Sequence, residues 1–238
     1  MRSIVVIPAR YASVRLPGKP LLDIAGKPLI RWVYERALAS TLADEVLIAT
    51  DDERIARACA AFGASVAMTS PDCESGTDRV AEALKGREAD VVVNLQGDEP
   101  QMRPDMIDTL IKAVRDERLD MATLCACITD PHDYKSPHVA KVVRDRNGFA
   151  LYFSRAPLPF LQKRVSIPFY RHIGVYAFSR AFLQTFVALP KGGLEEAESL
   201  EQLRALEAGF PIKTILAEYE GIGIDTEADL EAVRKIMA

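Results

Sequence analysis

Three cations follow the first apolar stretch of this chain. Arg10, Arg15 and Lys19 lie in the segment Pro8-Ala9-Arg10-Tyr11-Ala12-Ser13-Val14-Arg15-Leu16-Pro17-Gly18-Lys19. Arginine forks match phosphate oxygens and lysine adds a point charge, so three fixed cations behind a strand suit a nucleoside triphosphate and leave room for a metal. Gly18 is the only glycine in the segment, which is therefore neither a Walker loop nor a G-x-G-x-x-G fingerprint. Dehydrogenase and kinase readings lose ground. The plain alternative is a solvated loop with scattered basic residues, but the order strand, cations, helix is the one that anion binding requires.

Two acids could complete such a site. Asp98 stands in Gln96-Gly97-Asp98-Glu99-Pro100 at the end of the apolar run Val91 to Leu95, and Asp225 closes Gly223-Ile224-Asp225. Mg²⁺ takes one or two carboxylates and fills its remaining positions with phosphate oxygen and water, so acids from two distant loops suffice. Asp225 is equally well placed to be a plain helix N-cap. Ser75-Gly76-Thr77-Asp78-Arg79 offers close backbone approach to a base, and is equally common as a simple cap. In Arg171-His172-Ile173-Gly174-Val175-Tyr176 the alternation puts His172, Gly174 and Tyr176 on one strand face. Glu198, Glu201 and Gln202 share a helical face, a pattern more often solvated than functional.

The elements that must position these residues read as an α/β fold. Ile4 to Ile7 is a β-branched run of the kind buried on both faces in a parallel sheet. Leu29, Ile30, Val33, Ala37 and Leu38 recur at helical spacing after the cationic loop. Glu45 to Thr50 is a second strand, with Asp51 or Asp52 capping a helix that Gly63 stops, and Ser65 to Met68 is a third. Val91 to Leu95 and a helix from Met106 to Val114 follow, and the repeated order predicts parallel pairs with right-handed crossovers. Ligand crevices in such sheets lie beyond the carboxyl ends of the strands, where the cations and Asp98 fall. Asn147-Gly148 predicts a hairpin joining Lys141 to Arg144 with Phe149 to Phe153, so antiparallel pairing enters the second half. Arg171 to Phe178 and Ile212 to Leu216 are further strands. Helices are expected over Leu194 to Glu207, ended by Gly209, and over Thr226 to Met237, with Asp225 as N-cap.

Composition sets the outer limits. At 238 residues, 49% hydrophobic and 27% charged, the chain can bury a core without staples. A net charge of −4 gives no basic field for a nucleic acid, so an anionic ligand must be met locally. The apolar run from Ile4 to Ala9 is far shorter than a membrane span, and a cytoplasmic protein with no membrane partner is expected. Cys59, Cys73, Cys125 and Cys127 lack zinc-type pairing, and His132, His138 and His172 do not complete a metal set.

Taken together, Pro8 to Ser13, Arg15 to Pro20, Ser75 to Arg79, Gln96 to Pro100, Tyr152-Phe153-Ser154-Arg155-Ala156, Arg171 to Gly174 and Leu200-Glu201-Gln202-Leu203-Arg204 closely resemble 3-deoxy-manno-octulosonate (Kdo) cytidylyltransferases over nearly the whole chain. The resemblance implies a nucleotide-diphospho-sugar transferase-like fold: a Rossmann-like mixed sheet flanked by helices, with a smaller sugar-binding and dimerisation lobe. One domain would span 1–238, with residues 1–128 as the nucleotide half and 129–238 as the sugar and dimerisation half. It further implies Mg²⁺, a homodimer, and the conversion of CTP and Kdo to CMP-Kdo and pyrophosphate for lipopolysaccharide synthesis.

Carried onto matching positions, the resemblance assigns Arg10, Arg15 and Lys19 to the triphosphate and Ala9, Gly76, Arg79 and Gln96 to the nucleotide pocket. Asp98 and Asp225 would take magnesium, and Arg155, His172, Tyr176, Glu201 and Gln202 would line the sugar pocket. The chain departs from the family pattern after Leu158-Pro159-Phe160. There Leu161-Gln162 replaces an acid and a basic residue, leaving Lys163 or Arg164 to meet the sugar carboxylate. An 8-amino Kdo or a sialic acid is the alternative acceptor, and a non-catalytic nucleotide-binding regulator is the alternative outside enzymes.

Overall fold

The computed structural model describes residues 1–12, 16–163 and 165–237. In chain order the first half contains β1 (Ser3–Ala9), a 3-10 turn (Lys19–Leu21), the small hairpin β2 (Asp23–Ile24) and β3 (Lys27–Pro28), α1 (Leu29–Leu38), β4 (Glu45–Thr50), α2 (Glu53–Ala61), β5 (Val66–Met68), α3 (Gly76–Ala83), β6 (Val91–Leu95), α4 (Pro104–Asp116) and β7 (Met121–Cys127). The second half contains α5 (Pro131–Lys135), β8 (Lys141–Arg144), β9 (Ala150–Ser154), β10 (Tyr170–Ser179), α6 (Arg180–Ala188), α7 (Gly193–Glu198), α8 (Leu203–Glu207), β11 (Lys213–Leu216) and α9 (Glu227–Met237).

Every residue of β1 is buried, because the strand sits inside a sheet that is covered on both faces. Val5 and Ile7 pack with Ile30 and Val33 of α1 and Ile107 and Leu110 of α4. Ile4 and Val6 face the other way, toward Val80 and Leu84 of α3 and Phe182 and Phe186 of α6. Alternate residues of one apolar run thus feed two cores, which is why the run carries no polar face. Among the described residues nine strands form the main sheet, in the order β11-β7-β10-β6-β1-β4-β5, with β8 and β9 joined through β10. β1 is parallel to both β4 and β6, and β10 runs antiparallel to β6 and β7. The α/β class and the mixed sheet expected from the sequence are both present.

Asn147-Gly148 does make the turn between β8 and β9. Gly148 has φ 83°, and Asp145 Oδ1 accepts from the amides of Asn147 and Phe149, each at 2.8 Å. Leu38, expected on the buried face of α1, is instead 54% exposed at the helix end.

The helix expected over Leu194 to Glu207 is broken into α7 and α8, with Ser199 left-handed at φ 50°. The reason lies in a buried ion pair. Arg204 Nε and Nη2 each donate to Glu195 at 2.7 Å. On an unbroken helix residues nine apart lie roughly 13 to 14 Å apart along the axis and on opposite faces. Only a reversal brings them together.

Candidate active site

The chain moves outward from β1 through α1 to β4 and β5, then returns to the opposite flank of β1 at β6. This reversal opens a crevice between the carboxyl ends of β1 and β6, the place where open α/β sheets bind ligands. Pro8, Ala9 and Arg10 form one lip, and Gln96, Gly97 and Asp98 form the other. A Cβ on Gly97 would lie 3.1 Å from the carbonyl oxygen of Pro8, so glycine lets the lips approach. β10 extends the wall: Val175 pairs with Leu95, and the antiparallel direction carries residues 170–174 beyond the end of β6.

Arg10 is exposed at the end of β1, with no hydrogen bond or ion pair among the described residues, while Ala9 is buried beside it. Arg15 lies outside the described residues. Lys19, on the 3-10 turn, reaches across to both acids. Its Nζ lies 2.7 Å from Asp98 Oδ2, 2.8 Å from the carbonyl oxygen of Ile224 and 3.2 Å from Asp225 Oδ1. Residues far apart in the sequence thus form one charged cluster. Asp225 does not make the α9 cap expected of it. Thr226 Oγ1 accepts from the amide of Asp229, whose carboxylate accepts from the amides of Asp225 and Thr226. The Asp225 carboxylate instead meets Lys19.

The two acidic loops are tied together behind the acids. The amide of Ile224 donates to the carbonyl of Asp98 at 3.0 Å, and the Tyr219 hydroxyl donates to Glu99 Oε2 at 2.7 Å. Arg171 Nη2 donates to the Tyr219 carbonyl at 2.6 Å. A Cβ on Gly221 would fall 2.1 Å from the Tyr219 ring, so only glycine lets that ring fold back onto Glu99. Burial, reinforced by the neighbouring Asp98, pushes the Glu99 carboxyl up to about 7.

The residues assigned to the sugar pocket are differently held. The Tyr176 hydroxyl donates to Gln202 Oε1 at 2.9 Å, and Gln202 is 2% exposed. His172 Nε2 lies 2.9 Å from Thr123 Oγ1, with Phe153 edge-on to the ring. Burial drives the imidazole down to about 3, so at neutral pH it is an uncharged hydrogen-bonding group. Glu201 has a buried carboxyl, accepts from the Thr77 hydroxyl at 2.7 Å and lies beside the Ser75 hydroxyl. Burial raises its carboxyl too.

Two residues assigned to the pockets are held by contacts within the protein. The Arg155 guanidinium donates to the carbonyls of Glu198, Pro137 and Ser199, bracing the α7 end just before Glu201. Arg79 is 4% exposed, donates to Thr69 at 2.6 Å and lies 3.3 Å from Asp51, which makes it a brace between loops. Ser75 and Asp78 form a reciprocal cap on α3, so the cap reading of that motif holds for them. Gly76, the first residue of α3, faces Pro8 and the side chain of Gln96. Lys163 is exposed, and Arg164 lies outside the described residues.

A family model described as cytidylyltransferase matches residues 4–215. The chain belongs to the cytidylyltransferase family. It is 50% identical to the 3-deoxy-manno-octulosonate cytidylyltransferase of Syntrophobacter fumaroxidans, over 100% of this chain and 98% of that protein. It is 47% identical to the protein of the same name from Thermodesulfovibrio yellowstonii, again over 100% and 98%. Among solved structures, CMP:2-keto-3-deoxy-manno-octonic acid synthetase complexed with CTP is 48% identical, with a TM-score of 0.96 over 100% of this chain and 98% of that one. The resemblance read from the motifs is therefore the one the whole chain shows, and the protein is a nucleotidyltransferase.

In this cytidylyltransferase, the sequence reading passed over a buried polar chain. Gln96 Nε2 donates to Asn94 Oδ1 at 3.0 Å, and Asn94 Nδ2 donates to Thr77 Oγ1 at 3.0 Å. Asn94 was legible as the one polar residue in Val91-Val92-Val93-Asn94-Leu95, and a polar side chain in a fully buried strand demands a partner. Lys141 carried no comparable signal. It is fully buried, with its ammonium on the carbonyls of Ser136, Val139 and Arg155.

Proposed function

We propose that this cytidylyltransferase transfers the cytidylyl group of CTP to Kdo, giving CMP-Kdo and pyrophosphate for lipopolysaccharide synthesis. The supporting observation is the end-to-end match to relatives that bear this name, on a chain whose crevice carries phosphate-type residues at one end and hydroxyl-matching residues at the other. Arg10 and Lys19 hold the triphosphate and offset charge as pyrophosphate leaves. Ala9, Gly76 and Gln96 line the nucleotide side. Gln202, His172 and Glu201 line the side that receives the sugar. The anomeric hydroxyl is then held for in-line attack on the α-phosphorus, and positioning supplies most of the rate.

Asp98 and Asp225 are the residues that would hold Mg²⁺. Their carboxylates and the Ile224 carbonyl already converge on one cationic atom, the Lys19 ammonium, and all are the hard oxygen ligands that Mg²⁺ prefers. When bound, the ion neutralises phosphate oxygens and supplies Lewis acidity. A homodimer fits the exposed apolar segment Phe160, Leu161, Val165 and Ile167, of which Phe160 is 85% exposed. Among the described residues no helix is long and apolar enough to cross a membrane, and a cytoplasmic location fits the substrates.

The test is pyrophosphate release from the four nucleoside triphosphates, each with Kdo, 8-amino-Kdo and sialic acid. Release with CTP and Kdo is expected. Release with CTP and sialic acid alone would overturn the acceptor, and release with 8-amino-Kdo alone would assign the Leu161-Gln162 substitution to an amino-sugar acceptor. Chromatography at micromolar concentration checks the dimer.

A further inference from the structure

The polar chain beneath the crevice has a direction, and that direction follows from hydrogen-bond chemistry alone. The bond between Thr77 and Glu201 runs from the hydroxyl to the carboxyl oxygen, so Glu201 is the acceptor there. Thr77 has one hydroxyl proton and gives it to Glu201 Oε2, so toward Asn94 its oxygen must accept. Asn94 therefore turns its amino group to Thr77 and its carbonyl to Gln96. Gln96 must then turn its own amino group inward, at 3.0 Å from Asn94 Oδ1, which leaves Oε1 for the crevice. Asn94 is 0% and Thr77 1% exposed, so neither can exchange its partner for water. The usual freedom of a glutamine amide to flip is lost here.

We infer that Asn94 and Thr77 are positioning residues that transmit the acceptor character of Glu201, on the sugar side, to Gln96, on the nucleotide side. Gln96 is thereby fixed as an acceptor and selects a ligand that presents an N–H or O–H there. Gln96 Oε1 then offers an acceptor on the nucleotide side. For a cytidine nucleotide the matching donor is the exocyclic amine of the base or a ribose hydroxyl. This inference rests on the CTP reading above.

Calorimetric binding of CTP, with no sugar present, tests it. Thr77→Val keeps the side-chain shape but removes the acceptor that anchors Asn94, and a roughly tenfold loss of CTP affinity is expected. Thr77→Ser restores the hydroxyl and is expected to bind within twofold of the parent. Glu201→Gln introduces an amide that can donate, which removes the enforced direction. It is expected to weaken CTP about threefold or more although Glu201 lies on the sugar side.

Repeating the Thr77→Val titrations with UTP and with 2′- and 3′-deoxy-CTP locates the donor. A narrowed CTP-to-UTP gap marks the base amine, and a narrowed gap to a deoxy analogue marks that hydroxyl. CTP affinity within twofold of the parent in both Thr77→Val and Glu201→Gln would overturn the inference, as would failure of Thr77→Ser to recover binding. Absence of CTP binding by the unaltered protein would instead sink the nucleotide assignment itself.

Discussion

At the rim, among the described residues, Arg10 is exposed at the end of β1, and Lys19 meets both Asp98 and Asp225. The Asp225 side chain is 51% exposed, and among the described residues Lys19 pairs with both acids. In the wall formed by β10, α7 and α8, polar side chains are buried and hydrogen-bonded to neighbours that no ligand need supply: Tyr176 to Gln202, Thr123 to His172, Thr77 to Glu201. On the proposed function the rim is the half of the site that takes phosphate and a divalent ion. The wall is finished by the fold. Changes at the rim should therefore damage chemistry with little cost in stability, and changes in the wall should cost stability first and substrate affinity second.

The largest effect tests the rim. Asp98→Asn removes one of two carboxylates from the proposed magnesium position while keeping shape and hydrogen bonding. Pyrophosphate release is expected to fall on the order of 10²- to 10³-fold with the melting temperature little changed. Lys19→Met supplies the contrast: release falls, but Mn²⁺ binding followed by electron paramagnetic resonance is retained, because the acids lose a competitor. A melting temperature lowered by several degrees in both variants would mean that the rim, too, is a stability element and would break the comparison.

The next effect tests the wall. Glu195 and Arg204 are 8% and 5% exposed and joined by two bonds. Glu195→Gln leaves the Arg204 charge buried without its partner, which costs about 3 kcal/mol in chemical denaturation. Because this pair also forces the α7–α8 reversal that presents Glu201 and Gln202, KM for the sugar should rise more than KM for CTP. Equal changes in both would show that the reversal does not set the sugar wall.

The same contrast explains how much was legible in the sequence. Rim residues come in short motifs at strand ends, where residue type alone announces chemistry: Arg10, Lys19 and Asp98 were found that way, and β1, β6 and the Asn147-Gly148 turn followed from apolar runs and turn chemistry. Wall residues depend on contacts between distant segments. Glu201 and Gln202 were named through family resemblance but were placed on a continuous helix, because the pair that breaks it joins Glu195 to Arg204 and no local propensity records that. Arg155 enters the sugar pocket through the resemblance alone, and its bonds to three carbonyls depend on segments that no motif joins. Asp225 looked equally like a cap, and only the Thr226 to Asp229 bonds decide against it.

The smallest effect is a matter of pH and belongs to the wall. In the unfolded chain the His172 imidazole takes a proton near pH 6.5, but in the folded protein burial postpones this to about 3. Between those values the unfolded chain binds more protons, so stability rises with pH across the window and is lost as pH falls below 6.5. His172→Gln keeps a neutral hydrogen-bonding group beside Thr123 and removes this dependence. Melting curves at pH 7.5 and 5.5 should show the parent losing about 1 kcal/mol more than the variant over that step. An identical loss in both would place His172 in contact with solvent protons and return it to the rim's kind of site, held loosely until substrate arrives.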